Sequence, residues 1–238
     1  MKNLMLFIMN DLLIERLEYL KKIMPVRNLN EQNPVVVLLD PGHGGMINGK
    51  YVTAPDKMAD HGFFTFYEGL WNRVVVWMTA QVMFLNNQSY HIIVPEDKDI
   101  TVYERVRRAE AIAKEFRGTV YKPYYHSVHG NAHGQSQANG VEIYTSPGYT
   151  KSDPIATLYY QQLIKLGWKM RNDFSDGDPD KEERFYVLVN TSMPAILSET
   201  GFYTNPEEVR RMMNMDNIKM IAELFVRAHK EVVHLNLI

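Results

Sequence analysis

Four side chains in this sequence have the types that could carry a hydrolytic reaction together: His43, Glu68, His129 and Glu199. Two imidazoles and one carboxylate make a complete protein ligand set for a zinc ion (Zn2+) that keeps its fourth position open to water. A second carboxylate beside that position is the general base a metal hydrolase needs. The first three stand 25 and 61 residues apart, and no short motif of the H-E-x-x-H kind joins them, so only the fold can gather them. Each also has a plainer reading. His43 lies in "LLDPGHGG", where it could be a turn residue, although flanking glycines let backbone approach closely and leave the ring exposed. His126, His129 and His133 crowd into "HSVHGNAH", which could be a polar loop, and Glu68 could be a first-turn acid favoured by a helix dipole. Glu199 is harder to dismiss. "PAILSETGF" drives a carboxylate from a buried run into a turn, where it must be paired, metal-bound or shifted in pKa.

The elements that must position these groups alternate between strand and helix. Residues 35–39 form a continuous apolar run of valine and leucine, the mark of a strand covered on both faces. Residues 70–85 suit a helix with Trp71, Val74, Val75, Met78 and Val82 inward, and "SYHIIVP" suits a second strand closed by Pro95. Thr101 and Glu104 form a capping box for a helix through Phe116, whose polar face carries Arg105, Arg108 and Lys114. "TVYKPYYHS" and residues 141–144 add two strands, residues 155–166 a helix, and residues 195–197 a short buried strand. A long helix over residues 207–229 closes the chain, started by Asn205 as N-cap, Pro206 in the first turn and Glu208 at N3. This order predicts a three-layer α/β domain, with a central mostly parallel or mixed sheet and helices on both faces. In such domains the loops leaving the carboxyl ends of the strands form the crevice where chemistry is placed. His43, the histidine cluster and Glu199 all follow strands. Ahead of this body, residues 1–24 read as a helical extension with Leu13, Leu17, Leu20 and Met24 facing it, and the polar, proline-bounded residues 25–34 read as a linker to a catalytic domain over 35–238.

Composition narrows the function classes. A chain of 238 residues suits one substantial core, and a formal charge of -2 argues against a polyanionic partner, so no nucleic acid is expected. The absence of cysteine excludes disulfides, thiolate metal ligands and a cysteine nucleophile. No apolar stretch approaches the roughly 20 residues a transmembrane helix needs. The apolar run at residues 4–9 is followed by Asp11 and Glu15 without a small-residue cleavage site, so no secretory signal is expected and synthesis in the cytoplasm is.

"LLDPGHGG", the glutamate of "YEGLWNR", "SVHGNA", "GVEIY" and "PAILSETGFYTNPEE" together resemble the ordered signature segments of zinc-dependent N-acetylmuramoyl-L-alanine amidases of the amidase-3 type, over most of the chain from Val35 to His234. The resemblance implies hydrolysis of the amide between N-acetylmuramic acid and L-alanine, with bacterial peptidoglycan, its glycan strand and stem peptide, as partner. It implies His43, Glu68 and His129 as the zinc ligands and Glu199 as the catalytic carboxylate, with His126 and His133 as neighbours only. Asp40 could accept the other ring N–H of His43, or be a turn acid before Pro41; Glu142 could do the same for one of the histidines, or face solvent. Where the family shows threonine and arginine after the second strand, this chain has "VPEDKD", so a basic contact is missing or moved. Residues 46–67 are longer than the family's connector and rich in aromatics: Tyr51, Phe63, Phe64, Phe66 and Tyr67. They and the polar loops at residues 133–140 and 171–184 could line a groove for glycan and peptide, or merely cover the surface. Lacking a leader, the chain looks more like a phage lysis enzyme, an endolysin released through a membrane lesion, than a secreted autolysin. The alternatives are a zinc peptidase acting on cell-wall peptides and a wall-binding module without activity.

Overall fold

The computed structural model describes residues 9–62 and 64–238. Seven strands build a mixed sheet through the centre: β1 (Arg27–Asn28), β2 (Val35–Pro41), β7 (Ser89–Ile92), β8 (Lys122–Asn131), β9 (Val141–Thr145), β10 (Lys181–Glu182) and β11 (Ala195–Phe202). Their spatial order is β1-β7-β2-β8-β11-β9-β10. The core strands β7, β2, β8 and β11 are parallel, while β1 pairs antiparallel with β7 and β9 with β11. Two small hairpins, β3–β4 (Met46–Ile47, Lys50–Tyr51) and β5–β6 (Met58–Asp60, Thr65–Tyr67), fill the connection after β2. The expected three-layer α/β domain with a mixed sheet and an N-terminal helix is therefore present.

Strand residues alternate between faces, and here the two faces are unequally covered. Val35, Val37, Leu39, Tyr124, Val128 and Ile196 meet the larger core, built on helices α1 (Met9–Ile23), α2 (Glu68–Leu85), α4 (Asp153–Leu163) and α7 (Met215–Leu235). Val36, Leu38, Tyr125, Ala195 and Leu197 meet a smaller core under α3 (Val102–Glu115) and the single-turn α5 (Tyr186–Val189). Helix α1 packs as its spacing predicts, with Leu13, Leu17 and Leu20 buried against the larger core; each such side chain contributes about 1.5–3 kcal/mol of burial. Of the apolar run at residues 4–9, all but Met9 lies outside the described residues.

Several expectations are corrected. Residues 25–34 are tied into the sheet, since β1 pairs with β7 and Asn30 bonds Ser89. The last helix is two: α6 (Pro206–Met212) ends before Asn214, whose side chain accepts the N–H groups of Asp216 and Asn217 and so starts α7 afresh. Thr101 and Asn205 do cap α3 and α6, but Glu208 turns away from its own cap to accept the N–H groups of Gly140 and Phe202. Among the described residues no helix is long and apolar enough to cross a membrane.

Candidate metal centre

The parallel register of β2, β8 and β11 lines up the groups at their carboxyl ends. Asp40 lies opposite Ser127, and His129 opposite Glu199. Paired residues on neighbouring strands face the same side, so His129 and Glu199 stand side by side on the face of the smaller core, beyond its helices. His43 follows two residues after β2 in a left-handed backbone conformation, φ 61°, which costs a non-glycine residue about 1 kcal/mol. Two buried arginines hold it there: Arg73 Nη1 and Arg105 Nη2 donate to the His43 carbonyl at 2.8 and 2.9 Å. The neighbouring glycines are needed for contact. A Cβ on Gly42 would sit 2.1 Å from the His129 ring, and one on Gly69 would sit 1.8 Å from the Gly44 carbonyl oxygen.

Glu68 is the first residue of α2. Its N–H donates to the Lys57 carbonyl at 3.0 Å, and its Oε1 lies 3.2 Å from His43 Nε2 and 3.0 Å from His129 Nδ1. One potential ligand atom from each of the three lies within 4.8 Å of the other two. Ligand atoms held tetrahedrally at zinc distances of ~2.0–2.2 Å are about 3.3 Å apart, so this donor set fits a divalent cation. Burial alone would raise the Glu68 pKa; the contacts from His129 and His43 outweigh it and hold the carboxyl well below its usual range. Burial lowers the pKa of His129 and keeps its imidazole neutral, the form that binds metal.

Glu199 does not sit in a turn as expected. β11 continues through it, and the register with β8 slips only between Glu199 and Phe202. Partly buried, it leaves Oε2 with no hydrogen-bond partner among the described residues. Burial, then the charges of Glu68 and Glu142, raise its pKa well above the ordinary value.

Two expected contacts are absent. Asp40 does not reach His43: it is buried with Arg105 and accepts the hydroxyls of Tyr125 and Ser127. Ser127 Oγ lies 3.2 Å from His129 Nε2, so Asp40 acts on the other histidine through a hydroxyl. Glu142 neither faces solvent nor touches a histidine. It lies opposite Glu199 across β9 and β11 and takes Arg171 Nε and Lys181 Nζ, both at 2.7 Å. His126 lies in the larger core, bonded to Ser198, and His133 is exposed on its loop.

A crevice of roughly 460 Å³ opens over the cluster, lined by Lys57, Ile100, Val102, Phe185, Tyr186 and Tyr203 among others. Residues 133–140 do not line it; of the aromatics, Tyr51, Phe64 and Phe66 are buried instead of facing a groove, Tyr67 is half-buried, and Phe63 lies outside the described residues. Sequence reasoning missed Arg73, Arg105, Tyr203 and the Phe185–Tyr186 rim. Arg105 had a signal: it falls in phase with Ala109, Ile112 and Phe116, on the buried stripe of α3 and not on its polar face.

An α/β domain that gathers two imidazoles and a carboxylate at its strand ends, with a free carboxylate beside them, has the site of the metallohydrolase class. The chain belongs to the amidase-3 family of N-acetylmuramoyl-L-alanine amidases, whose sequence model matches residues 37–230. It is 26% identical over 195 residues to N-acetylmuramoyl-L-alanine amidase CwlM of Bacillus licheniformis, covering 79% of this chain and 64% of CwlM. It is 22% identical over 199 residues to the probable cell wall amidase LytH of Staphylococcus epidermidis, covering 82% of this chain and 57% of LytH. The chain thus spans less than two thirds of the length of these relatives. In fold it is similar to an N-acetylmuramoyl-L-alanine amidase from Clostridium difficile 630, with a TM-score of 0.69 at 23% identity over 85% of this chain and 98% of that one. The catalytic domain of the CD27L endolysin gives 0.58 at 20% identity, covering 84% of this chain and 98% of that one.

Proposed function

We propose that this protein hydrolyses the amide between the lactyl group of N-acetylmuramic acid and the L-alanine of the stem peptide in bacterial peptidoglycan. In this reading zinc is held by His43, Glu68 and His129, and Glu199 is the catalytic carboxylate. The observation that carries it is convergence: three ligand atoms from separate elements within 4.8 Å of one another, with Glu199 registered beside His129. Bound there, zinc would supply Lewis acidity, acidifying a water and polarising the scissile carbonyl. The remaining steps fall to the chain. Glu199, its Oε2 uncommitted, takes a proton from the attacking water and delivers it to the departing nitrogen, which leaves poorly unless protonated. Its raised pKa brings it closer to the value that suits both halves of that transfer. Arg73 and Arg105 hold the His43 loop, and the Asp40–Ser127 pair orients His129. Ile100, Val102, Phe185 and Tyr186 offer apolar and aromatic surface along the crevice, which suits the faces of sugar rings in a glycan strand.

Mass spectrometry of digested peptidoglycan tests the reading. Stem peptides beginning at L-alanine, with muramic acid intact, are expected. Cuts inside the peptide would replace the amidase by a zinc peptidase, and no release at all would leave a binding module. Elemental analysis should find one zinc per chain, removed by chelation together with the activity and restored with it.

A further inference from the structure

Lys57 stands out among the cations near the centre. It lines the crevice on the β5 side of the inserted hairpins, and its side chain is exposed, with no hydrogen bond or ion pair among the described residues. The other strong cation of the lining, Arg105, is committed to Asp40 and to the carbonyls of Pro41, His43 and Ile100. The acids of the lining are Asp40, Glu68, Asp99 and Glu199. Asp40 is paired with Arg105, Glu68 belongs to the metal cluster and Asp99 takes the Thr53 hydroxyl. The charge of Lys57 is felt at Glu199, yet it pairs with none of the four.

The backbone of Lys57 is fixed where the side chain is free. Its φ is 58°, the left-handed region, where a long side chain on a non-glycine residue persists only when its surroundings enforce it and where ligand-holding residues gather. The enforcement is visible: the Lys57 carbonyl accepts the Glu68 N–H at 3.0 Å and the Tyr51 hydroxyl at 3.1 Å, and Tyr51 Oη in turn accepts the Gly69 N–H at 2.9 Å. The root of the side chain is thereby locked to the first turn of the helix that carries Glu68, while its ammonium keeps all three donors unspent.

We propose that Lys57 is a specificity-determining residue that pairs with a carboxylate of the bound substrate, selecting wall peptides whose residue next to L-alanine carries a free carboxylate over those in which it is a carboxamide. This rests on the amidase reading of the site. A charge-assisted hydrogen bond to a carboxylate is strong only while both partners are ionised, so amidation of the substrate removes its value, and exposure to water limits its size.

The test compares two soluble muramyl-L-alanyl peptides, one ending in a free-carboxylate second residue and the other in its carboxamide twin, with wild-type, Lys57→Met and Lys57→Arg proteins loaded with zinc. Lys57→Met is expected to raise KM for the carboxylate peptide about five- to tenfold, to leave kcat within about twofold and to leave the carboxamide peptide unchanged. Lys57→Arg should restore most of the preference. Equal losses on both peptides, or a loss in kcat alone, would overturn the proposal in favour of a general electrostatic role; an unchanged preference would overturn it outright. Calorimetric binding of the same two peptides to the same three proteins measures the preference without relying on turnover. If the wild type cleaves neither peptide, the amidase reading has failed, and the ratio of the two affinities in wild type and Lys57→Met still decides the role of Lys57.

Discussion

The two faces of the sheet are made from the same strands and do opposite things. On one, Tyr124, His126 and Val128 of β8 point into a core sealed by four helices, where polar groups bond one another: His126 bonds Ser198 and packs edge-on against Tyr159 and Phe225, and Tyr124 bonds both Tyr159 and His229. One ring nitrogen each of His126 and His229 is left without a hydrogen-bond partner among the described residues. On the other, Tyr125 still packs under α3, but Ser127 and His129 run on past the end of that cover. β2 and β11 repeat the pattern, with Leu38 and Leu197 packed and Asp40 and Glu199 at the crevice. The difference lies in the extent of the helical cover, and the two-residue period of the strand assigns each side chain to one fate or the other. Glu68 crosses between them: it belongs to a helix of the sealed face and reaches over the strand ends to the open one.

The sharpest way to break this comparison is to change one strand-end group on the open face. Glu199→Gln should lower turnover on purified peptidoglycan by about 10²–10⁴-fold while zinc content and melting temperature stay near wild type. A protein with this substitution and wild-type turnover would remove Glu199 from the chemistry. His129→Ala should instead lose stoichiometric zinc. On the sealed face the signs reverse. His126→Ala, three residues away, should keep its zinc stoichiometry and its activity per folded molecule, but lose about 2–4 kcal/mol in urea denaturation through an emptied core site and an unpaired Ser198. Zinc lost from folded His126→Ala would show that the two faces are not independent.

Much of this was legible in the sequence because its signals are local. The apolar run of β2, the cap of α3 and the glycine-flanked His43 need only a few neighbouring residues to be recognised. What was not legible depends on partners far along the chain. Arg105 reads as a surface charge because its counterpart, Asp40, is 65 residues away, and neither alternative for Asp40, a partner of His43 or a turn acid, reaches that far along the chain. Strand parity separates His126 from His129, since residues three apart on a strand face opposite ways, but the strand expected to end with Ser127 runs on to Asn131, so its parity does not show at His129 from the sequence. The rim aromatics carried no signal, as Phe185 precedes and Tyr186 opens a single helical turn at the end of an acidic loop.

The sealed face also makes a prediction about pH. Burial pushes both His126 and His229 down from the ordinary 6.5 to about 3. An unfolded chain protonates them near 6.5 and the folded chain does not until about 3, so between those values the unfolded state binds more protons and stability falls as pH falls. Each histidine contributes a slope of up to about 1.4 kcal/mol per pH unit. Asp180, raised to about 8 by burial, opposes this trend, so the histidine contribution is read as a difference: in urea midpoints of metal-free protein taken between about pH 6.5 and about pH 4, His229→Phe should lose less on acidification than wild type while leaving the neutral-pH end nearly in place. A slope unchanged in that variant would mean that His229 titrates normally in the fold.

The smallest effect concerns what holds the end of β11 behind Glu199. Asn205 caps α6 by accepting the N–H groups of Glu207 and Glu208 at 2.9 and 3.4 Å, and its own amide donates to the Ala138 carbonyl at 3.0 Å. Glu208, so placed, accepts the N–H groups of Gly140 and Phe202. The cap therefore lies two links from Glu199, through α6 and then through β11. Asn205→Ala should cost about 1 kcal/mol, a fall of roughly 2–4 °C in Tm for a chain of this size. Because Glu199 is also held by its pairing with β8 and β9, kcat should change by less than about twofold. A loss in kcat far beyond the loss of stability would mean that the open face depends on this helix for the position of Glu199, and not on the register of the sheet alone.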